Sequence, residues 1–322
     1  MSSSGVTSSV VDLIGCTPLL ELHQVVRARG LSGRLLLKLE YLNPGHSKKD
    51  RTAKALIDHA RESGDLQPGQ PVVELTSGNT GTGLAIVCAA YGHRFVAVMS
   101  RGNSVERARM MTALGADVVL VEQAPGSKNG EVSGADLALV DERARQLVAE
   151  LGAFRADQFS LPGGIAAHEH GTGPELWQQS AGGINVFVDF VGSAGTFTGV
   201  TRYLRSVQPD VRAYAVEPAG AAVLSGEPLV DSGHRIQGGG YSRTELPYFD
   251  PTLVTGYVVV SDDDAQREAR FLARAEGVFA GYSTGANLAA AIRLLETTES
   301  GATIALLACD SGLKYLSTDL FG

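Results

Sequence analysis

Apolar runs of strand length alternate along this chain with amphipathic stretches of helix length. The alternation is typical of α/β proteins with parallel sheets, because a parallel strand pair needs a long crossover between its strands. The predicted strands are the runs 35–39, 72–75, 95–99, 118–121, 186–191, 212–216, 257–260 and 303–308. The predicted helices are the stretches 51–63, 82–91, 104–114, 135–151, 173–179, 198–207, 262–275 and 284–297. The sequence therefore predicts an α/β fold.

The chain is long and apolar enough to bury a substantial core. Its 322 residues are 44% hydrophobic, which favours a core divided between two domains. A net charge of −8 argues against a nucleic-acid partner. Apolar runs such as 186–191, which also contains Asp189, are far shorter than a membrane span, so no membrane insertion is expected.

The cysteines indicate the cellular compartment of the protein, and the polar, irregular segments indicate which parts of the chain lie at its surface. Cys16, Cys88 and Cys309 lie far apart without metal-like spacing, which predicts reduced, buried thiols in a cytoplasmic protein. The Ser-rich stretch 1–9 lacks the features of a signal peptide and is interpreted as a frayed tail. The stretches 124–134 and 226–249 are predicted to be an exposed loop and a long irregular segment over an active site.

A lysine pair follows a Pro-Gly turn and begins a predicted helix. The stretch 43–51 reads Asn-Pro-Gly-His-Ser-Lys-Lys-Asp-Arg. A lysine amine at a helix start lies at the positive end of the helix dipole, which favours its neutral, nucleophilic form. On these residues alone, an ordinary basic helix start remains the alternative.

Three further turns place small and hydroxyl-bearing residues immediately before a predicted helix. They are 74–81 (Glu-Leu-Thr-Ser-Gly-Asn-Thr-Gly), 192–199 (Gly-Ser-Ala-Gly-Thr-Phe-Thr-Gly) and 280–287 (Ala-Gly-Tyr-Ser-Thr-Gly-Ala-Asn). Backbone N–H groups and hydroxyls at a helix start can bind a carboxylate or a phosphate. The first turn exceeds what helix capping requires, which favours a binding function. The second lacks the lysine of a Walker loop, and the third taken alone is an ordinary cap.

In this order the four motifs resemble those of the fold-type II pyridoxal-phosphate enzymes, in the cysteine synthase branch. The stretch 14–19, Ile-Gly-Cys-Thr-Pro-Leu, is similar to the opening of that family, and 310–318 is similar to its closing stretch. The resemblance implies pyridoxal 5'-phosphate as cofactor and a tryptophan synthase β-subunit-like fold of two three-layer αβα domains. The larger, cofactor-binding domain would comprise residues 1–45 and 156–322, and a smaller mobile domain would comprise 46–155.

The resemblance also implies a role for each site residue. Lys49 would hold the cofactor as a Schiff base and carry the substrate α-proton. Asn79 would hydrogen-bond the 3′ oxygen of the cofactor, and Ser283 would face its pyridine nitrogen. The cofactor phosphate would bind to Gly192, Ser193, Ala194, Gly195 and Thr196. The substrate carboxylate would bind to Thr76, Ser77, Thr80 and Gln158.

The implied activity is β-replacement on an O-activated L-serine, O-acetylserine or O-phosphoserine, through an α-aminoacrylate. A non-sulfide nucleophile (cyanide, homocysteine or an amine) remains an alternative. So does a serine/threonine dehydratase or racemase of the same fold, although Thr52 stands where those enzymes typically have glycine. An inactive scaffold or binding protein of the same fold is the alternative from another class, and Lys49 argues against it. The implied partners are a small amino-acid substrate and a small nucleophile, and the implied assembly is a homodimer.

Some residues depart from the family pattern. Lys48 stands where an apolar residue is usual, so Lys48 and His46 add positive charge beside Lys49. Ala194 replaces a usual glycine, which a slightly altered turn would accommodate. The stretch 238–243 also differs, which leaves the second substrate open. His168 and His170 are interpreted as structural or exposed, and no metal is predicted.

Overall fold

The computed structural model describes residues 5–127 and 132–322. Residues 1–4 of the predicted tail and 128–131 of the predicted loop lie outside the described residues. The strands are β1 (Leu19–Glu21), β2 (Arg34–Lys38), β3 (Val72–Leu75), β4 (Phe95–Ser100), β5 (Asp117–Val121), β6 (Phe154–Arg155), β7 (Val186–Phe190), β8 (Arg212–Pro218), β9 (Gly256–Val260) and β10 (Thr303–Leu307). The helices are α1 (His23–Arg29), α2 (Lys49–Ser63), α3 (Asn79–Tyr91), α4 (Val105–Ala113), α5 (Gly134–Leu151), α6 (Gly163–Ala167), α7 (Gly173–Gln179), α8 (Gly195–Val207), α9 (Asp262–Glu276) and α10 (Tyr282–Glu296).

The strands form two sheets. The first has six strands in the order β1-β2-β10-β7-β8-β9, and the second has four in the order β5-β4-β3-β6. Neighbouring strands run parallel except β1 and β2, which pair antiparallel. The α/β class with parallel sheets is therefore confirmed.

The burial of these strands explains why they could be predicted from the sequence. Every residue of β3, β4, β7 and β10 is buried, so these strands appear as near-continuous apolar runs. The sequence analysis did not predict β1, β6, α1 or α6. The strands β1 and β6 have only three and two residues, too few to show a periodic pattern.

Helices α2 and α3 pack together over the four-stranded sheet. Ala53 and Ile57 of α2 share one apolar cluster with Leu84 and Val87 of α3. The α3 residues 80–88 are all buried, so this part of the helix is enclosed around its whole circumference. This packing fixes the starts of both helices, where two of the sequence motifs lie.

The remaining expectations concern single residues and loops. Cys88 and Cys309 are buried as predicted, but Cys16 is exposed. That prediction was wrong because Cys16 lies in a surface turn with a φ of 48°. The segment 226–249 contains no helix or strand, as predicted. None of the helices described for residues 5–127 and 132–322 is long and apolar enough to cross a membrane.

Gly285 provides a test of the packing between α9 and α10. A Cβ at Gly285 would overlap the carbonyl oxygen of Ala265 in α9. Gly285→Ala should lower the free energy of unfolding by about 1–3 kcal/mol, because two helices must separate to admit one methyl group. Urea denaturation measures the change.

Gly134, the first residue of α5, is the matched control, because a Cβ there meets no atom within 4 Å. Gly134→Ala should leave the unfolding free energy within about 0.5 kcal/mol of the wild-type value. Equal stability of the two variants would contradict the described packing.

Candidate active site

Lys49 is the first residue of α2, and its amine lies inside a cavity. Its Nζ donates to Gln158 Oε1 at 2.9 Å and to Ser193 Oγ at 3.3 Å. Burial, and after it the neighbouring cation of Lys48, lowers the pKa of Lys49 to about 8. The amine therefore loses its proton more readily than an exposed lysine, as a nucleophile requires.

A cavity surrounds this amine. It lies at the carboxyl ends of parallel strands from both sheets, a common ligand position in open α/β folds. Its lining combines the lysine pair, polar residues from the loops, and a few apolar groups: Lys48, Lys49, Ser77, Asn79, Thr80, Phe190, Gln237, Gly238, Tyr241, Ser283 and Cys309.

Thr76 organises the loop between β3 and α3. Its buried Oγ1 accepts the N–H groups of Gly78 and Gly81, both at 2.9 Å. Gly78 has a φ of 127°, and a Cβ there would overlap the side chain of Arg107, so the turn requires glycine. The hydroxyl of Thr76 thus supports the loop from behind.

Gln158 connects this loop to Lys49. Its Oε1 accepts a hydrogen bond from Thr80 Oγ1 at 2.9 Å as well as one from Lys49 Nζ. Both Thr80 and Gln158 are buried. A ligand oxygen that took the place of Gln158 Oε1 would accept hydrogen bonds from both Lys49 Nζ and Thr80 Oγ1.

Asn79, the first residue of α3, is held by the closing stretch of the chain. Its Nδ2 donates to Asp310 Oδ2 at 2.8 Å, and its Oδ1 accepts from Lys314 Nζ at 2.7 Å. Lys314 Nζ also donates to the Gly45 carbonyl oxygen at 2.8 Å. These bonds connect the starts of α2 and α3 to the segment after β10.

The run 192–196 joins β7 to α8. Ala194 has a φ of 67°, so it takes the left-handed conformation at a cost of about 1–2 kcal/mol. A Cβ at Gly192 would come 2.6 Å from the Gly238 carbonyl oxygen, and one at Gly195 would come 3.0 Å from the Gly164 carbonyl. The N–H groups in the first turn of α8 have no helical acceptor, which makes this close-packed loop a receptor for an anion.

His168 supports the same loop. Its Nε2 lies 3.2 Å from Thr196 Oγ1, and its Nδ1 lies 2.8 Å from Thr172 Oγ1. Burial lowers the pKa of His168 well below its ordinary value, so the ring is neutral. His168 is thus structural and His170 is exposed. The contact with Thr196 spans 28 residues, and no sequence pattern indicated it.

Ser283 reaches the cavity from the first turn of α10. The following residue, Thr284, accepts the backbone N–H of Cys309 at 3.0 Å. Burial raises the pKa of the Cys309 thiol to about 12, so the thiol is protonated. This part of the cavity therefore carries a hydroxyl and a neutral thiol.

Lys48 also reaches the cavity, and it forms an ion pair that sequence reasoning missed. Its Nζ lies 2.7 Å from Asp189 Oδ1 and 3.0 Å from Asp189 Oδ2. Burial alone would lower the pKa of Lys48, but the Asp189 carboxylate outweighs it and raises the pKa above the ordinary value. The available signal was a charged residue inside an otherwise apolar strand.

The structure brings most of the predicted site residues together. The cavity is lined by Lys49, Ser77, Asn79, Thr80 and Ser283. Gln158 and Ser193 bond to Lys49, and Thr196 lies in the same loop as Ser193. Thr76 is buried behind its loop, 2% exposed. The ligand roles of these residues stay predictions.

Comparison with known proteins identifies the family. The family model described as "Pyridoxal-phosphate dependent enzyme" matches residues 10–310. The chain belongs to this family. It is 39% identical to cysteine synthase 3 of Caenorhabditis elegans over 313 residues, which cover 96% of this chain and 88% of that protein.

Solved structures agree with this assignment. O-acetyl serine sulfhydrylase isoform 3 from Entamoeba histolytica superposes with a TM-score of 0.90 at 34% identity, covering 100% of this chain and 93% of that chain. O-ureido-L-serine synthase superposes with a TM-score of 0.87 at 36% identity, covering 98% and 96%. The fold-type II assignment is confirmed, and the protein is a pyridoxal-phosphate-dependent enzyme.

The residues of the cavity fit this cofactor. The Lys49 amine is bonded to neutral oxygens and can attach to an aldehyde. The N-terminus of α8, with its glycines against backbone carbonyls, suits a phosphate. Ser283 offers a hydroxyl to a ring nitrogen. A covalent, an anion-binding and a polar attachment point therefore lie at or beside one cavity.

Thr76 provides a test of the loop. Thr76→Val replaces the hydroxyl with a methyl group and leaves the N–H groups of Gly78 and Gly81 without their acceptor. The free energy of unfolding should fall by about 1–3 kcal/mol, as measured by urea denaturation. Thr76→Ser keeps the acceptor and should retain most of the stability. An equal loss in both variants would show that packing of the methyl group, and not the hydroxyl, holds the loop.

Proposed function

We propose that this enzyme performs β-replacement on an O-activated L-serine, with O-acetylserine or O-phosphoserine as the amino-acid substrate. The observation that carries the proposal is the Lys49 amine, which shares one hydrogen-bonded oxygen with Thr80 of the β3–α3 loop. The similarity to a cysteine synthase and to an O-acetyl serine sulfhydrylase supports the same choice.

In this proposal the cofactor is held at both ends. Lys49 would hold pyridoxal phosphate through Nζ, Asn79 would bond its 3′ oxygen, and Ser283 would face its ring nitrogen. The phosphate would bind to Gly192, Ser193, Ala194, Gly195 and Thr196. Bound there, the cofactor supplies an electron sink that stabilises negative charge at the α-carbon of an amino acid. A hydroxyl at Ser283 stabilises a protonated ring nitrogen less than a carboxylate would, which suits prompt loss of a β-substituent.

The substrate carboxylate would bind at the start of α3. Ser77, Thr80 and Gln158 offer side-chain donors there, and the first turn of the helix adds backbone N–H groups. Thr76 would act by holding the loop in shape. With the carboxylate placed here, Lys49 Nζ would take up the α-proton, because its lowered pKa leaves it able to act as a base near neutral pH.

The nucleophile remains the variable part of the proposal. Structural relatives are named for O-acetyl serine sulfhydrylation and for O-ureido-L-serine synthesis, which both concern O-substituted serines. Gly238 and Tyr241 line the cavity from the segment 238–243 that departs from the family pattern, and Gln237 lines it from the position just before. We infer that these residues select the nucleophile, with sulfide, cyanide, homocysteine and an amine as the candidates.

Assembly and motion complete the proposal. We propose a cytoplasmic homodimer, on the resemblance to the family and on the three free thiols. We also propose that residues 46–155 move as the smaller domain and close over bound substrate, while 1–45 and 156–322 form the larger one. Closure would exclude water from a reactive intermediate.

Removal of the Lys49 amine tests the proposed activity. Lys49→Ala should lower consumption of O-acetylserine or O-phosphoserine in the presence of sulfide by about 10³-fold or more, because the amine both holds the cofactor and moves a proton. Release of acetate or phosphate measures the rate. Lys54→Ala is the control on the same helix, since Lys54 pairs with Asp58 outside the cavity.

Borohydride reduction and peptide mapping give the second measurement, with the pyridoxyl label expected on Lys49. A label on Lys48, or full turnover by Lys49→Ala, would contradict the assignment. If the wild-type protein binds the cofactor but consumes neither serine derivative, the assignment of the cofactor site stands and the proposed substrates are wrong.

Thr80 tests the separation of substrate and cofactor binding. Thr80→Ala should weaken binding of O-acetylserine by about 10- to 100-fold, the loss of one hydrogen bond to a charged group. Bound cofactor should stay at the wild-type level, because the phosphate is held at α8. A titration of the substrate-induced absorbance change, beside a phosphate analysis, checks both. Thr112→Ala is the control, because Thr112 is an exposed residue of α4. Loss of cofactor with normal substrate binding in the remainder would contradict the proposal.

A further inference from the structure

Two consecutive lysines present their amines to one cavity in different electrostatic surroundings. Lys48 is bonded to both oxygens of Asp189, and the side chains of Lys48 and Asp189 are 11% and 2% exposed. Lys49 is bonded to the neutral oxygens of Gln158 and Ser193. One amine is thus fixed as a cation by direct contact with a carboxylate, whereas the hydrogen-bond partners described for its neighbour are uncharged.

The position of Asp189 fixes this difference. Asp189 lies in β7, where the surrounding strand residues are apolar and buried. A carboxylate in that setting is stabilised by a cation, because an unpaired buried charge is strongly unfavourable. Lys48 supplies the cation, so its ammonium group stays at the wall of the cavity next to Lys49.

The other titratable groups around Lys49 carry little opposing charge. Burial keeps the Cys309 thiol protonated and the His168 ring neutral. Burial also raises the pKa of Tyr241, which keeps its hydroxyl protonated. On α2 itself, burial raises the pKa of Asp50 to about 7, and this carboxyl is bonded to the Gly45 N–H instead of to a lysine. The Lys48–Asp189 pair is therefore the main charged neighbour of Lys49.

We propose that Lys48 is a positioning residue for proton transfer: its ammonium group, fixed by Asp189, disfavours protonation of the Lys49 amine, so that this amine can bind the cofactor aldehyde and take up the α-proton. This inference rests on the proposed function of Lys49. Like charges disfavour the second ammonium group, and the Lys48 cation contributes more to lowering the pKa of Lys49 than Asp189 contributes to raising it.

The test is the pH dependence with which the cofactor-free full-length chain captures pyridoxal phosphate. The rate of labelling at Lys49, read by borohydride reduction and peptide mapping, rises with pH as the amine loses its proton. In Lys48→Met the repelling cation is gone and Asp189 remains, so the midpoint should move up by about one pH unit or more. Lys48→Arg retains the cation and should keep the wild-type midpoint.

A second variant covers the case in which Lys48→Met does not fold. Lys48→Met combined with Asp189→Asn removes both charges and leaves no unpaired carboxylate, and its midpoint should move up by a smaller amount. Lys54→Met, on the outer part of α2, should not move it. A structural role alone would change stability and leave the midpoint in place.

The possible outcomes distinguish a failure of the inference about Lys48 from a failure of the proposed function of Lys49. Upward shifts in Lys48→Met and in the double variant, with Lys48→Arg unshifted, support the inference. Labelling of wild-type Lys49 with no upward shift in either variant overturns it and leaves the proposed function standing. Absence of label on wild-type Lys49 overturns both.

Discussion

Burial of the Lys49 amine among neutral oxygens is the constraint on which the site depends. An ammonium group taken from water into such a place loses its hydration, and neither hydrogen-bond partner described for it is a carboxylate. The chain meets this by lowering the pKa of the amine to about 8. The hydrogen bonds to Gln158 and Ser193 then hold the amine toward the cavity. The amine is reactive because its burial in the folded protein destabilises the protonated form relative to the neutral form.

A rigid frame is needed to hold that unfavourable arrangement. Arg51, two residues after Lys49, binds Glu40 at 2.8 Å and Glu175 at 2.6 Å, and Lys38 binds Glu175 at 2.6 Å. This network secures α2 against β2 of the six-stranded sheet. Asn79 makes the corresponding connection for α3, through Asp310 and Lys314. The starts of α2 and α3 are thus both connected to residues that follow strands of the six-stranded sheet.

Features formed by consecutive residues could be predicted from the sequence, whereas contacts between residues far apart in the chain could not. The apolar runs of β3 and β7 and the turns after them are contiguous in the chain, so the fold and the loops at residues 76–81 and 192–196 were readable from the sequence. Short elements such as β1 and β6 gave no periodic signal. The ion pair between Lys48 and Asp189 joins residues 141 positions apart, and its partners are visible only after β7 is placed beside α2. Asp189 was noticeable as an exception in an apolar strand, but nothing in the sequence indicated its partner.

The most direct measurement of the central claim is a crystal structure of the protein grown with pyridoxal phosphate. The account predicts electron density continuous with Lys49 Nζ, a phosphate at the first turn of α8 near Thr196, and the ring nitrogen facing Ser283. Density joined to Lys48, or a phosphate bound away from residues 192–196, would contradict it.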